Sequence, residues 1–222
     1  AVTFDRTLIY TPGTSGSAVY VDGVPIAGGA GVMLAHSGRL TGLAAIRDNI
    51  AVTYQNQLDE VARGLIEVFA ESDQSAAPSL PDAPGLFTYP GAPAMPASGT
   101  LLVGLAASIR INPSVDPSQG GSLALLRDGG MAGDPAYIYN ASGGSAYADR
   151  LNQYVTGLAE SRSFDPAVQL LPAGTLGSFA SSSAGWLQET RKFANDSSDY
   201  ADTLLQRSSE ALSKETGVNI DE

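Results

Sequence analysis

The sequence predicts a mainly α-helical protein with a minor β part, arranged as an elongated antiparallel helix bundle. One observation is the placement of proline: all 13 prolines lie outside residues 26–77 and 173–222. Because proline removes a backbone donor and clashes with the preceding helical turn, these proline-free windows favour long helices. The other observation is periodicity, since apolar residues in the windows recur at steps of three and four.

Residues 1–36 are predicted to form a β-hairpin segment and a hinge. Val2-Thr3-Phe4 is rich in residues that favour strands, and Asp22-Gly23 between apolar runs is typical of a two-residue hairpin turn. Pro25 has no N–H, so the returning strand is expected at a sheet edge. The Gly-Gly-Ala-Gly run at residues 28–31 is expected to be a flexible joint.

The first long helix is predicted over residues 37–71, with Ser37 as its N-cap. From Tyr54 onward its apolar residues follow alternating steps of four and three, a coiled-coil-like seam expected to face the core. These residues are Tyr54, Leu58, Val61, Leu65 and Val68. The polar residues expected on its other, exposed faces are Gln55, Gln57, Asp59, Glu60, Arg63, Glu67 and Glu71.

Between the two windows the sequence predicts irregular structure and one more helix. Residues 72–100 are proline-rich and are expected to form a long surface loop or an irregular subdomain. The side chains expected to hold this loop down are Leu86, Phe87, Tyr89 and Met95. A helix is predicted over residues 145–160. Its expected inward-facing residues are Tyr147, Leu151, Tyr154, Val155 and Leu158.

The last helix is predicted over residues 178–215. It would be about 57 Å long, whereas a compact chain of this size has a diameter of roughly 44 Å. The helix therefore indicates either an elongated domain or an assembly that continues past this chain. Small residues at seven-residue spacing, such as Ala194 and Ala201, predict a close-packed seam in a helix bundle.

The predicted domains are residues 1–36, the hairpin segment with its hinge, and residues 37–222, an elongated helical domain. A helix end is expected after Thr216, because Gly217 follows it. Residues 219–222 then have the composition of a helix start. The chain is therefore expected to be a fragment, and Ala1 in place of an initiator Met leads to the same expectation at the front.

Composition excludes several classes of function. The chain has 23 acidic and 12 basic residues and a formal charge of −11, which argues against nucleic-acid binding. It has no cysteine, so disulfides and thiolate chemistry are absent. No apolar run has the length that a membrane span requires.

The sequence predicts no catalytic, cofactor-binding or metal-binding residues. The single histidine, His36, is interpreted as an ordinary loop or interface residue. Residues 28–31 lack the lysine and spacing of a phosphate-binding loop. With no Cys and one His, zinc sites are excluded. Asp196, Asp199 and Asp202 share a helix face, which is interpreted as a solvated surface rather than a calcium site.

Three segments resemble the bacterial flagellar hook-associated protein 1 family, the first hook–filament junction proteins. Residues 37–43, Arg47-Asp48 and residues 56–62 are similar to its G-x-L-x-G-L, R-D and N-Q-L-D-x-L-A segment. Residues 109–113 with Asp116-Pro117 are similar to its V-N-P and D-P strand. The last six residues are similar to the S-G-V-N-L-D-E-E start of its C-terminal coiled coil, although Thr216 replaces the usual Ser.

The resemblance implies a structural axial protein of the bacterial flagellum and no enzyme activity. It implies an extracellular location after export by the flagellar type III apparatus, and neither nucleic-acid nor membrane binding. The implied partners are other copies of the full-length protein in a ring, the hook protein and the next junction protein. A flagellar export chaperone would bind through a terminal segment that this fragment lacks.

Two other functions stay open at this point. A surface adhesin or stalk module that binds glycan or protein would need an exposed site, and Tyr89, Tyr137 and Tyr139 are the candidates for it. A hydrolase acting through paired carboxylates would draw on the acidic residues of the loops. Those residues are Asp128, Asp134 and Asp149.

Overall fold

The computed structural model of the protein describes residues 2–4, 18–27, 37–92 and 94–217. The chain is mainly helical, with small antiparallel sheets and a long C-terminal helix, as the sequence predicts. Contacts divide it into two compact units, Ala1–Ala180 and Ser181–Glu222. The predicted hinge at residues 28–31, His36 and residues 218–222 lie outside the described residues.

The N-terminal sheet has three antiparallel strands in the order β1 (Val2–Phe4), β2 (Val19–Val21) and β3 (Val24–Ala27). The turn between β2 and β3 is the predicted Asp22-Gly23 pair, with φ of 48° and 81°. Two positive φ values in succession give the turn a twist that matches the flanking strands. Strand β3, which contains Pro25, lies at the edge of this sheet as expected.

The first long helix is observed as three consecutive segments, α1 (Arg39–Ala45), a π-helical turn (Ile46–Ile50) and α2 (Ala51–Val68). The prediction that Ser37 is the N-cap of this helix is wrong. The N-cap residue is Gly38, and no side chain caps the first turn. The backbone carbonyl of Ser37 instead accepts a hydrogen bond from Thr41 Oγ1 at 3.1 Å.

The predicted orientation of α2 is wrong for its polar residues. Gln57, Asp59, Glu60 and Arg63 are completely buried, and so is Glu71 just beyond the helix end. We call these five residues the buried polar face. Leu58, expected inside, is instead 40% exposed. The cause is what surrounds the helix: irregular chain segments whose backbone groups need hydrogen-bond partners once they are buried.

Each member of the buried polar face contacts backbone far away in sequence. Asp59 accepts hydrogen bonds from the N–H groups of Gly104 and Ala106, both at 2.7 Å. Gln57 donates to the carbonyl of Val168 at 3.0 Å. In this way one helix anchors two separate loops.

A buried ion cluster extends the same face. Arg63 donates to both carboxylate oxygens of Glu60, at 2.9 and 2.6 Å, and to Glu67 at 2.5 Å. It also donates to the carbonyl of Ser163, while Glu60 accepts from the N–H of Asp165 at 3.0 Å. The charges are therefore paired with one another and also fix the chain at residues 163–165.

Glu71 anchors a third region. Its Oε2 accepts from the N–H of Ala132 at 2.7 Å, and its backbone forms an antiparallel bridge with Ala83. The other carboxylate oxygen, Oε1, is buried with no hydrogen-bond partner. Burial raises the pKa of Glu71, and the neighbouring N–H groups only partly offset that effect.

Apolar packing around α2 forms three small clusters rather than one large core. The first contains Ala62, Ile66, Tyr89 and Leu105; the second contains Val115, Met131 and Tyr154; the third contains Phe164, Val168 and Phe179. Gly64 allows one close approach, because a Cβ there would lie 2.7 Å from Leu176 Cδ1.

The proline-rich segment is tied to these clusters as predicted. Tyr89 is buried, Phe87 and Met95 pack on the Ile66 cluster, and Leu86 packs on the Met131 cluster. The remaining elements are short except for α5 and α6. They are β4 (Phe87–Thr88), α3 (Leu105–Ser108), β5 (Arg110–Ile111), α4 (Leu125–Asp128), α5 (Asp149–Ala159), β6 (Ser161–Ser163), β7 (Ala173–Thr175), α6 (Leu176–Thr216) and single 3-10 turns at Pro117–Gln119, Pro135–Tyr137 and Pro166–Val168.

Helix α5 also departs from its predicted orientation. Tyr154 is buried as expected, but Leu151, Val155 and Leu158 are exposed. The polar residue Arg150 packs this helix against the rest of the first unit instead. Its guanidinium lies 4.0 Å from the Tyr139 ring centroid and donates to the carbonyl of Ala70. The side of α5 that carries Arg150 and Tyr154 is therefore the buried side.

Replacement of Asp59 by Ala tests the anchoring role of the buried polar face. The substitution leaves the partly buried N–H groups of Gly104 and Ala106 without their acceptor, so we expect the free energy of unfolding to fall by about 2–4 kcal/mol. Urea denaturation measures it. The control is Asp199→Ala on the exposed face of α6, which removes the same charge. Equal stability of the two variants would contradict the interpretation.

Candidate assembly surface

The second unit consists of most of α6, and the greater part of this helix is exposed. Every residue from Arg191 to Gly217 is exposed. The full helix, Leu176–Thr216, has 41 residues and is therefore about 60 Å long. It ends at Thr216, as predicted from the glycine that follows.

Local interactions favour this helix but contribute little. Lys192 and Asp196 form an ion pair at 2.5 Å, and Gln206 donates to Glu210 at 3.1 Å. Such pairs four residues apart contribute about 0.3–0.5 kcal/mol each. Since most helical stability in proteins comes from packing of an apolar face, a helix this exposed gains most when another surface covers it.

An aromatic stripe runs along one side of α6. Trp186, Phe193 and Tyr200 are spaced by seven residues, and Leu204 follows four residues later. Seven residues are close to two helical turns, so these side chains share one face. Phe193 is 74% exposed and Tyr200 is 67% exposed. Large aromatic side chains at such exposure are typical of surfaces that bind another protein.

The packed seam predicted from small residues is not what the structure shows. Ala194 and Ala201 are exposed along with their neighbours. The small residues predict a seam because close helix packing requires them. The aromatic stripe has the same seven-residue spacing and carries far more apolar area. That spacing is the signal that would have identified the stripe from the sequence.

Two further apolar faces are exposed on helices of the first unit. On the α1 side, three apolar residues recur at steps of three: Leu40, Leu43 and Ile46. On α5 the three residues recur at steps of four and three: Leu151, Val155 and Leu158. Three helices therefore each present an apolar face to solvent, a pattern typical of a protein that assembles with others.

Two of the three loop aspartates that a hydrolase would draw on, Asp128 and Asp134, accept hydrogen bonds from neighbouring residues. Asp128 binds Arg127 through two hydrogen bonds and also accepts from Asn140 Nδ2 at 2.7 Å. Asp134 accepts from the N–H of Ala136 and caps a 3-10 turn. Asp149 lies in the first turn of α5.

The three aspartates of α6 do not form a metal site. Asp196, Asp199 and Asp202 are all exposed. Within the described part of the chain, no group of three His, Cys, Asp or Glu residues is arranged to hold a metal ion.

The tyrosines considered for an adhesin site do not form an exposed platform. Tyr89 and Tyr137 are buried, and their hydroxyls donate to the carbonyls of Ala94 and Pro81, both at 2.6 Å. The Tyr139 hydroxyl accepts from the N–H of Ser72, and Arg150 covers its ring. Glycan-binding sites need accessible ring faces, which the buried Tyr89 and Tyr137 do not provide.

Comparison of the chain with protein-family models, with curated proteins and with solved structures finds no match. No helix among the described residues combines the length and hydrophobicity that a membrane crossing requires.

Replacement of Ala201 by Trp tests the exposure of α6. Because Ala201 is exposed, we expect the melting temperature to stay unchanged. Ala62→Trp is the matched variant, since Ala62 is buried on α2 and a larger side chain there overpacks the core by about 1–3 kcal/mol. Differential scanning calorimetry measures both. A clear loss of stability in the Ala201 variant would show that its face is packed.

Asp128 gives the protein a specific sensitivity to acid. Hydrogen bonds from Arg127 and then Asn140 lower the pKa of Asp128 from 3.8 to about 2. A lowered carboxyl pKa adds stability that is present above pH 3.8 and is lost as the pH falls toward 2.

Because solvent screens these partly exposed groups, we expect Asp128→Asn to reduce the acid-induced loss of stability between these pH values by at most about 1 kcal/mol. Urea midpoints measured across the range give the slope. The Asp202→Asn variant, which removes the same charge from an exposed position of α6, serves as the control. An unchanged slope in the Asp128 variant would contradict the assignment.

Proposed function

We propose that the protein is a structural axial component of the bacterial flagellum that forms part of the junction between hook and filament. The observation that carries the proposal is the aromatic stripe on α6, in which Phe193 is 74% exposed and Tyr200 is 67% exposed. A molecule that works by binding copies of itself and unlike neighbours requires such faces, whereas an enzyme requires a site where reactive groups converge.

The resemblance of three sequence segments supports the same function. They occur along the chain in the order that the hook-associated protein 1 family has, and the long last helix lies between the second and third segments. These segments support the proposal together with the exposed apolar faces.

The elongated antiparallel bundle predicted from the sequence belongs to this proposal. In the assembled protein, neighbouring subunits would cover the apolar faces of α1, α5 and α6. The full-length protein would form a ring, contact the hook protein on one side and contact the next junction protein on the other. It would have no enzyme activity, would lie outside the cell, and would meet its export chaperone through a terminal segment.

Complementation in the parent bacterium tests the function. A strain without the gene is expected to form hooks without filaments and to be non-motile. The wild-type gene is expected to restore motility, whereas the triple variant Trp186→Ser, Phe193→Ser, Tyr200→Ser is expected to leave the strain non-motile although the protein is exported. Electron microscopy of filaments and immunoblots of the culture medium give the readouts.

The matched control carries Arg191→Ser, Asn195→Ser and Asp202→Ser, which lie on the opposite side of α6. This variant is expected to restore motility, because it leaves the aromatic stripe intact. Normal filaments in the strain that lacks the gene would refute the junction function. Normal swimming of the stripe variant would refute the role of the stripe in assembly.

A further inference from the structure

An open groove lies in the first unit, away from the aromatic stripe. Its volume is about 1020 Å³, at the upper end of the range for binding pockets. Two parts of the proline-rich segment, around Pro81 and Pro96, line the groove. The turn at Tyr137 and the end of α2 at Glu67 line it as well, together with Arg162 of β6.

Hydrogen bonds fix the walls of the groove. The Tyr137 hydroxyl donates to the carbonyl of Pro81, and the Tyr89 hydroxyl donates to the carbonyl of Ala94, both at 2.6 Å. Asp73 Oδ2 accepts from the N–H groups of Ser79 and Leu80 at 2.8 and 3.0 Å. A surface fixed in this way loses little conformational freedom when it binds a partner.

A second, more polar cavity of about 640 Å³ adjoins the groove. The two cavities share Glu67, Ala70, Asp82 and Arg162, so they form one continuous surface. The first cavity supplies apolar contacts from Leu80, Met95 and the prolines. The second supplies polar contacts from the side of α5.

The charge of this surface is negative. Its five acidic residues are Glu67, Asp82, Asp134, Asp149 and Glu160. Its two basic residues are already engaged: Arg162 donates to the carbonyl of Gly157 and lies 3.6 Å from Glu67, and Arg150 contacts Tyr139 and Tyr154. No Lys or Arg of the described chain forms a salt bridge with the other four acidic residues, which are Asp82, Asp134, Asp149 and Glu160.

We propose that this groove binds an extended, positively charged segment of a partner protein. Apolar side chains of the segment occupy the cavity beside Pro81 and Pro96, and its Lys or Arg side chains lie against Asp82 and Asp134. Alternation of side chains along an extended chain allows both contacts at once, since successive residues point to opposite sides. An acidic ligand is excluded by repulsion from the unpaired carboxylates.

Four fluorescently labelled synthetic peptides of about nine residues test the proposal. They combine either Lys or Glu with either Leu or Ser at alternating positions, which separates the effect of charge from that of apolar contact. Fluorescence anisotropy with the whole chain is expected to show saturable binding of the Lys/Leu peptide, at least about fivefold tighter than that of the other three. Equal binding of the Lys/Leu and Glu/Leu peptides, or no binding of any of them, would overturn the proposal.

Matched variants then locate the binding site. Asp82→Asn with Asp134→Asn is expected to weaken binding of the Lys/Leu peptide by about fivefold, and the side-chain amide oxygen introduced at position 134 can still cap the turn at Ala136. Asp199→Asn with Asp202→Asn changes the net charge equally and is expected to leave binding within about twofold. Equal weakening in both pairs would mean attraction to net charge alone and would refute the groove. Thermal unfolding of each variant confirms that it is folded.

Discussion

The buried polar face of α2 is the constraint on which the first unit depends. Irregular chain segments surround this helix, and their buried N–H and C=O groups cannot all find partners in regular secondary structure. Four polar side chains of α2, together with Glu71 just beyond its end, supply those partners at the loops near residues 104–106, 132, 163–165 and 168. The backbone of Glu71 also pairs with that of Ala83. Apolar side chains in the same positions would fill space but leave the loops without hydrogen-bond partners.

This arrangement puts carboxylates where their charged form is disfavoured. Burial raises the pKa of Asp59 and Glu71, so ionisation of these groups works against folding as the pH rises. Surface aspartates behave in the opposite way. The pKa of Asp165 is lowered because the N–H groups of Ala167 and Leu101 donate to it, so its stabilisation is lost in acid. Both kinds of carboxylate anchor loop backbone, and the depth of burial decides whether the pKa is raised or lowered.

The sequence was sufficient to place the helices but not to orient them. Proline-free windows and the Asp22-Gly23 turn depend on local backbone chemistry, which is why the long helices and the hairpin could be predicted. The orientation of α2 depends on loops distant in sequence, and no local pattern shows that Asp59 and Arg63 must serve them. The local pattern therefore predicts that Asp59 and Arg63 face solvent, whereas their backbone partners require them inside.

The candidate surfaces, like the helices, could be predicted from the sequence only in part. The length of the last helix indicates either an elongated domain or an assembly. Its small residues predict a contact face near Ala201, whereas the exposed aromatic side chains are those of Phe193 and Tyr200. On α5, Val155 was expected inside because it is apolar, and the Arg150 contact with Tyr139 decided the opposite orientation. The groove beside Pro81 could not be predicted, since it arises from segments brought together only by folding.

Native-state hydrogen exchange of the loop amides tests the central claim most directly. If the buried polar face holds the loops, the N–H groups of Gly104, Ala106 and Ala132 will exchange slowly, with protection within about tenfold of that measured for Ile66 inside α2. Exchange of these loop amides near the rate of an unprotected chain, with Ile66 still protected, would contradict the account.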